Sequence, residues 1–122
     1  MPEITKKIDI ASSVSEVWDV LASFESISDW ADNVSHSCLL SDQLRGVGTC
    51  RRIQSGNSSV TEHVTRWDEL RYLSYEIHGL PPVFKQVLNT WSLEPSEIGV
   101  QLSLTIETVS YTHLTLPTKR IV

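Results

Sequence analysis

No stretch of this chain is apolar for long enough to cross a bilayer. Its opening residues, Met1-Pro2-Glu3-Ile4-Thr5-Lys6-Lys7, lack the apolar core of a signal peptide. A cytoplasmic location without a membrane span is therefore the default expectation. Basic charge is scarce as well: 10 Lys and Arg stand against 15 Asp and Glu, for a formal charge of −5. Before the extreme C-terminus the basic residues pair only at Lys6-Lys7 and Arg51-Arg52. Phosphate binding needs a clustered basic surface, so nucleic acid is not an expected partner. The two cysteines, Cys38 and Cys50, have no metal-type spacing. A hairpin centred on Leu44 would set them opposite each other and permit a disulfide; a reducing compartment favours two free, half-buried thiols. There is no glycine-rich phosphate loop and no nucleophile elbow. His36, His63 and His78 are scattered over three strand-like segments, so neither a metal nor a cofactor is expected.

What remains is an ordinary globular composition, and 122 residues give room for one domain with one modest core. Ile4 to Ile10 reads as a first strand, with Ile4, Ile8 and Ile10 on one face. Ser13-Val14-Ser15-Glu16 is a capping box, and behind it Val14, Val17, Trp18, Leu21 and Phe24 recur at helical spacing. Ile27, Trp30, Ala31 and Val34 continue that pattern after Ser26, predicting a second short helix set at an angle to the first. From His36 the period changes to two. Ser37 to Leu40 and Val47 to Gln54 read as a hairpin; Val60 to Trp67, Arg71 to His78, Phe84 to Leu93 and Val100 to Glu107 read as further strands. The order predicts an α+β domain: a strand, two short helices, then about six strands in an antiparallel meander. Leu73, Tyr75 and Ile77 share a face, as do Val87, Asn89, Trp91 and Leu93, and Val100, Leu102, Leu104 and Ile106. The opposite faces are polar, so one side of the sheet is wet and the other needs a large apolar cover.

This layout resembles the polyketide cyclase/dehydrase and lipid-transport superfamily, the START-like or SRPBCC group. The resemblance runs from Ile4 to about Glu107. It rests on the capped helix with Val17-Trp18, on Trp30, and on Gly46-Val47-Gly48-Thr49-Cys50-Arg51-Arg52. Val60-Thr61-Glu62-His63-Val64 with Trp67-Asp68, Leu73-Ser74-Tyr75-Glu76-Ile77 and Thr90-Trp91-Ser92-Leu93-Glu94-Pro95 complete it. It implies a helix-grip fold, a curved antiparallel sheet of about six to seven strands gripping a long C-terminal helix, with a cavity between them. Members bind lipids, sterols, polyketides or plant hormones, cyclise aromatic polyketides, or act as chaperone activators and toxin-module partners.

The last residues depart from that pattern. Val109-Ser110-Tyr111-Thr112-His113-Leu114-Thr115-Leu116-Pro117-Thr118 and the four residues after them carry no helical stripe, several β-branched residues and a proline. They resemble instead the translation, in one frame, of a transposase-type sequencing adapter. On that reading the domain spans 1–108, residues 109–122 are a foreign tail, and the long C-terminal helix is missing. The inner sheet face then lacks part of its cover, and the chain as written is expected to be aggregation-prone or molten.

In a domain of this layout the period of two carries Val60, Glu62, Val64 and Arg66 to the cavity side. A carboxylate against an apolar wall has a raised pKa and can act as general acid or base, which makes Glu62 the catalytic candidate. It can equally pair with Arg51, Arg52 or Arg66, or sit at the open rim. Tyr75 and Asn89 can hydrogen-bond a ligand carbonyl or hydroxyl, while Trp30, Trp91 and Leu102 supply apolar wall. The leading expectation is a module that binds a small hydrophobic or amphipathic ligand. The alternative is a cyclase or dehydratase using Glu62, and the third is a protein-interaction or chaperone co-activator role.

Overall fold

The computed structural model describes residues 3–80 and 86–109. β1 (Glu3–Ile10) leads into α1 (Val14–Ala22) and a 3-10 helix (Phe24–Asp29). Six strands follow: β2 (His36–Leu39), β3 (Cys50–Ser55), β4 (Ser58–Asp68), β5 (Tyr72–His78), β6 (Gln86–Pro95) and β7 (Val100–Val109). They form one sheet in the order β1-β7-β6-β5-β4-β3-β2, antiparallel at every step. The meander is thus closed by its first strand, which pairs with its last. The expected foreign tail lies outside the described residues except for Val109, which pairs with Gln86 at the end of β7. The expected absence of a C-terminal helix likewise concerns residues beyond those described, as do positions 84 and 85 of the expected sixth strand.

The helix begins where the capping box places it. The Glu16 amide donates to Ser13 Oγ at 3.2 Å, and the Ser13 amide donates to Glu16 Oε1 at 3.0 Å. These bonds favour the ionised carboxylate and hold the Glu16 pKa below its ordinary value. Val17, Trp18, Leu21 and Ala22 are buried along one stripe, and Phe24 continues it. The stripe packs on Val64, Leu73, Tyr75, Leu93 and Val100, which makes the core a contact between α1 and the middle of the sheet. Trp18 is completely buried; its indole meets Trp67 edge-on at 5.4 Å.

The second helix is shorter than its apolar spacing predicts. Only Phe24–Asp29 turn helically, with a kink at Ser26, and Trp30 ends the turn by donating to the Ile27 carbonyl. Asp29, Asp32 and Asn33 favour turns over helix interiors, and they interrupt the segment before a second full turn can form. Ile27, Trp30, Ala31 and Val34 still come to one side, as a folded loop.

The β2–β3 hairpin is centred one residue later than expected. Cys38 pairs with Arg52 and Leu39 with Arg51, while the Leu40 amide donates to the Cys50 carbonyl. The two cysteines are therefore not opposite each other, and both are free. Between these strands Gly48 turns with φ of +97°, and a Cβ there would approach Gln43 Oε1 at 3.2 Å. Gly99, before β7, lets the chain pass the end of β1, since a Cβ would lie 2.4 Å from the Ile10 carbonyl oxygen.

β1 carries its isoleucines on the inner face, Ile8 opposite Leu102 and Ile4 opposite Ile106, as the alternation predicts. Ile10 packs against the core, whereas Ile4 and Ile8 are each 59% exposed. α1 spans too little of the sheet to reach them. His63 and His78 fall on the outer face, out of phase with the core, and their rings meet edge-on at 4.5 Å.

Candidate functional site

Between the inner face of β3 to β7 and the segment after α1 lies a cavity of about 520 Å³. Ile27, Trp30, Ala31 and Val34 roof it. The sheet supplies Ile53 from β3, Val60 and Glu62 from β4, and Tyr75 and Ile77 from β5. Asn89 and Trp91 come from β6, and Leu104 and Ile106 from β7. Each strand contributes alternate residues, which is how a pleated sheet delivers side chains to one face. Trp30 and Trp91 meet edge-on at 5.9 Å, joining roof to wall.

The polar end of this cavity is built around a buried ion pair. Arg51 and Glu62 are directly opposite across β3 and β4. Arg51 donates to Glu62 Oε1 through Nε at 2.7 Å, its Nη2 stands 2.6 Å from the same oxygen, and Nη1 donates to the Phe24 carbonyl at 2.7 Å. Its guanidinium lies 3.6 Å from the centre of the Phe24 ring and 4.9 Å from that of Tyr75. Arg51 and Glu62 are 2% and 3% exposed, so the pair is shut away from bulk water. Burial pushes the Glu62 pKa up, and the charge and hydrogen bonds of Arg51 oppose that rise without cancelling it. Next to the pair, the Tyr75 hydroxyl accepts from Trp91 Nε1 at 3.0 Å and from Asn89 Nδ2 at 3.5 Å. Burial, with the neighbouring Glu62 charge, pushes the Tyr75 pKa up, so the phenol keeps its proton.

Of the residues singled out from sequence, Trp30, Glu62, Tyr75, Asn89 and Trp91 all line this cavity. Two do not. Arg66 is exposed, because the β4–β5 register slips between Val64↔Tyr75 and Arg66↔Ser74. The extra residue at Thr65 is a β-bulge, which inverts the alternation beyond it. Arg66 is thereby sent outward, and Trp67 turns toward the core. Leu102 sits on the inner face but lines a separate cleft with Ile10, Val17 and Leu21 between α1 and the β1–β7 edge. Trp30 touches both spaces. Among the three arginines offered as partners for Glu62, the structure selects Arg51. The extension of the cavity along Leu104 and Ile106 follows from the same β7 face as Leu102 and could have been read from the period of two. The roof contributed by Ala31 and Val34 needed the tertiary fold.

Among the described residues no group of three or more His, Cys, Asp or Glu side chains is arranged to hold a metal ion. No helix among them is long and apolar enough to cross a membrane.

The sequence matches the family described as polyketide cyclase / dehydrase and lipid transport over residues 1–116. The chain belongs to that family. The match continues past the boundary expected at residue 108. Among solved structures, a protein from Thermobifida fusca superposes with a TM-score of 0.79 at 17% identity, covering 99% of this chain and 83% of that one. The Zhui aromatase/cyclase from a Streptomyces species gives a TM-score of 0.74 at 19% identity, over 88% of this chain and 67% of that one. The Aha1 protein from Colwellia psychrerythraea, solved as a dimer, gives 0.70 at 17% identity, over 98% and 88%. At such identities the likeness establishes the fold of this polyketide cyclase/dehydrase family member and leaves its chemistry open. No curated protein matches the sequence.

Proposed function

We propose that this family member binds a small hydrophobic or amphipathic molecule in the cavity between sheet and roof. The observation that carries the reading is the cavity itself: about 520 Å³, walled mainly by aliphatic and indole side chains, with Glu62, Tyr75 and Asn89 on its sheet wall and Asn33, Ser55 and Ser58 toward the β3–β4 turn. Ligand sites have this composition, an apolar enclosure with a few placed polar atoms. Naphthalene is a suitable first probe, being apolar and small enough for the space. Leu104→Trp fills part of the cavity from β7 and should weaken naphthalene binding about tenfold or more, measured by equilibrium dialysis, while the far-ultraviolet circular dichroism spectrum stays native. Undiminished binding in that variant would place the probe elsewhere and sink the reading.

A second reading, an acid–base cyclase or dehydratase, draws on the raised pKa of Glu62 at the cavity wall. Buried structural ion pairs also perturb carboxylates, so the geometry favours binding. Glu62→Gln separates the two. In a binding module it leaves naphthalene affinity within about threefold, in an assay run well below the melting temperature, since naphthalene makes no hydrogen bond for the carboxylate to lose. In an enzyme it abolishes turnover of a β-keto substrate that the unmodified protein converts.

A further inference from the structure

The polar end of the cavity is short of protons. Both Arg51 bonds to Glu62 end on Oε1, and Oε2 has no hydrogen-bond partner among the described residues. Asn89 Oδ1 is buried, also with no partner among the described residues. The Tyr75 hydroxyl accepts two N–H donors, and its own proton meets no acceptor among those residues. Tyr75 lies directly opposite Asn89 across β5 and β6, and Glu62 is on the adjacent strand, so the unmatched atoms share one wall. Two acceptors and one donor therefore stand without a partner at this wall, and one of them, Asn89 Oδ1, is fully buried, where an unmatched polar atom is costly.

The charge at this wall is already spent. Arg51 is fully engaged by Glu62 and the Phe24 carbonyl, and no lysine or arginine lines the cavity among the described residues. An anionic ligand would meet the Glu62 carboxylate with no free cation to offset it. A bare hydrocarbon would leave every polar atom as it stands.

We propose that the cavity selects a neutral hydroxyl group. The ligand oxygen accepts from the Tyr75 O–H, and its proton is donated to Glu62 Oε2, with Asn89 and Trp91 holding the phenol oxygen in place. The preferred ligand class is then an alcohol or phenol on an apolar body, in preference to a carboxylate or an unsubstituted hydrocarbon of the same shape. This rests on the binding reading above.

The test compares 2-naphthol, naphthalene and 2-naphthoate on the unmodified protein at pH 7 by equilibrium dialysis. Naphthol should bind about tenfold more tightly than naphthalene, the worth of one to two net hydrogen bonds, and naphthoate should bind weakest. Tyr75→Phe removes one donor and should shrink the naphthol-to-naphthalene ratio to about threefold or less. Equal binding of naphthol and naphthalene, or tightest binding by naphthoate, overturns the hydroxyl preference and leaves the binding site intact. Failure of all three probes to bind overturns the binding reading and this inference with it.

Discussion

Arg51→Met should destabilise the domain by about 3–5 kcal/mol at pH 7, the usual consequence of leaving one partner of a buried ion pair uncompensated. Methionine keeps an apolar stem against Phe24 but supplies no charge to Glu62, which is 3% exposed and bonded by no other cation among the described residues. The Phe24 carbonyl loses its donor in the same step. Urea unfolding followed by tryptophan fluorescence reads the change directly. A loss below about 1 kcal/mol would mean that the pair is solvated in solution.

The same variant has a predictable pH dependence. In the native protein burial already raises the Glu62 pKa above 4.5, its ordinary value, and Arg51 is what holds the rise in check. Without Arg51 the folded-state value climbs further. A folded protein whose carboxyl has a raised pKa binds protons more readily than its unfolded chain, so stability falls as pH rises. The Glu62 contribution is neutral below about 4.5, and the loss accumulates from there until the folded value is passed. The deficit of Arg51→Met against the native protein should therefore be smallest near pH 4.5 and should widen toward neutrality. Adding Glu62→Leu removes the stranded charge and should recover most of the lost stability, because replacing both members of such a pair is close to neutral.

That pairing was only partly legible in the sequence. Periodicity put Glu62 on the inner face, and three arginines were in reach. Choosing Arg51 required the β3–β4 register, in which Arg51 falls directly opposite Glu62 and Arg52 points to the outer face. Register depends on the turn between strands; a two-residue Gly56-Asn57 loop pairs Ser55 with Ser58 and so Arg51 with Glu62, a step that alternation within β4 alone does not supply. Arg66 shows the complementary failure. A period of two extrapolates correctly only while the strand is regular, and one extra residue at Thr65 reverses every side chain after it.

The helix and the strands were readable because each carries local chemistry. Ser13 and Glu16 close a hydrogen-bonded ring within four residues, and the α1 stripe needs no information from elsewhere in the chain. The cavity is a non-local object. Its sheet wall follows from alternation, as Tyr75, Asn89 and Trp91 show, but its roof depends on how a turn-rich segment folds back after α1. Leu102 shares a face with Leu104 yet lines a different space. What separates them is α1, whose Val17 and Leu21 meet Leu102 in a cleft of their own.

Trp18→Ala should cost about 3–5 kcal/mol, the range for deleting a large buried aromatic side chain. Trp18 is 0% exposed at the centre of the core, so its removal leaves a void lined by α1 and the sheet that the packed strands can fill only in part. Its polar contact adds to the effect. Trp18 Nε1 donates to Glu69 Oε2 at 3.0 Å, and Trp67 Nε1 donates to Glu69 Oε1 at 3.0 Å, so one carboxylate in the β4–β5 turn ties both indoles. Trp18→Phe keeps most of the volume and loses that bond, and should cost about 1–2 kcal/mol. For a domain of this size the alanine variant should melt at least 10 °C lower, at roughly 4 °C per kcal/mol. A Trp18→Ala protein that melts within about 3 °C of the native one would show that α1 is not anchored through Trp18. The cavity roof, which follows α1 directly in the chain, would then be held by its own contacts to the sheet, Arg51 with the Phe24 carbonyl, Ser37 with the Glu25 carbonyl and Trp30 with Trp91.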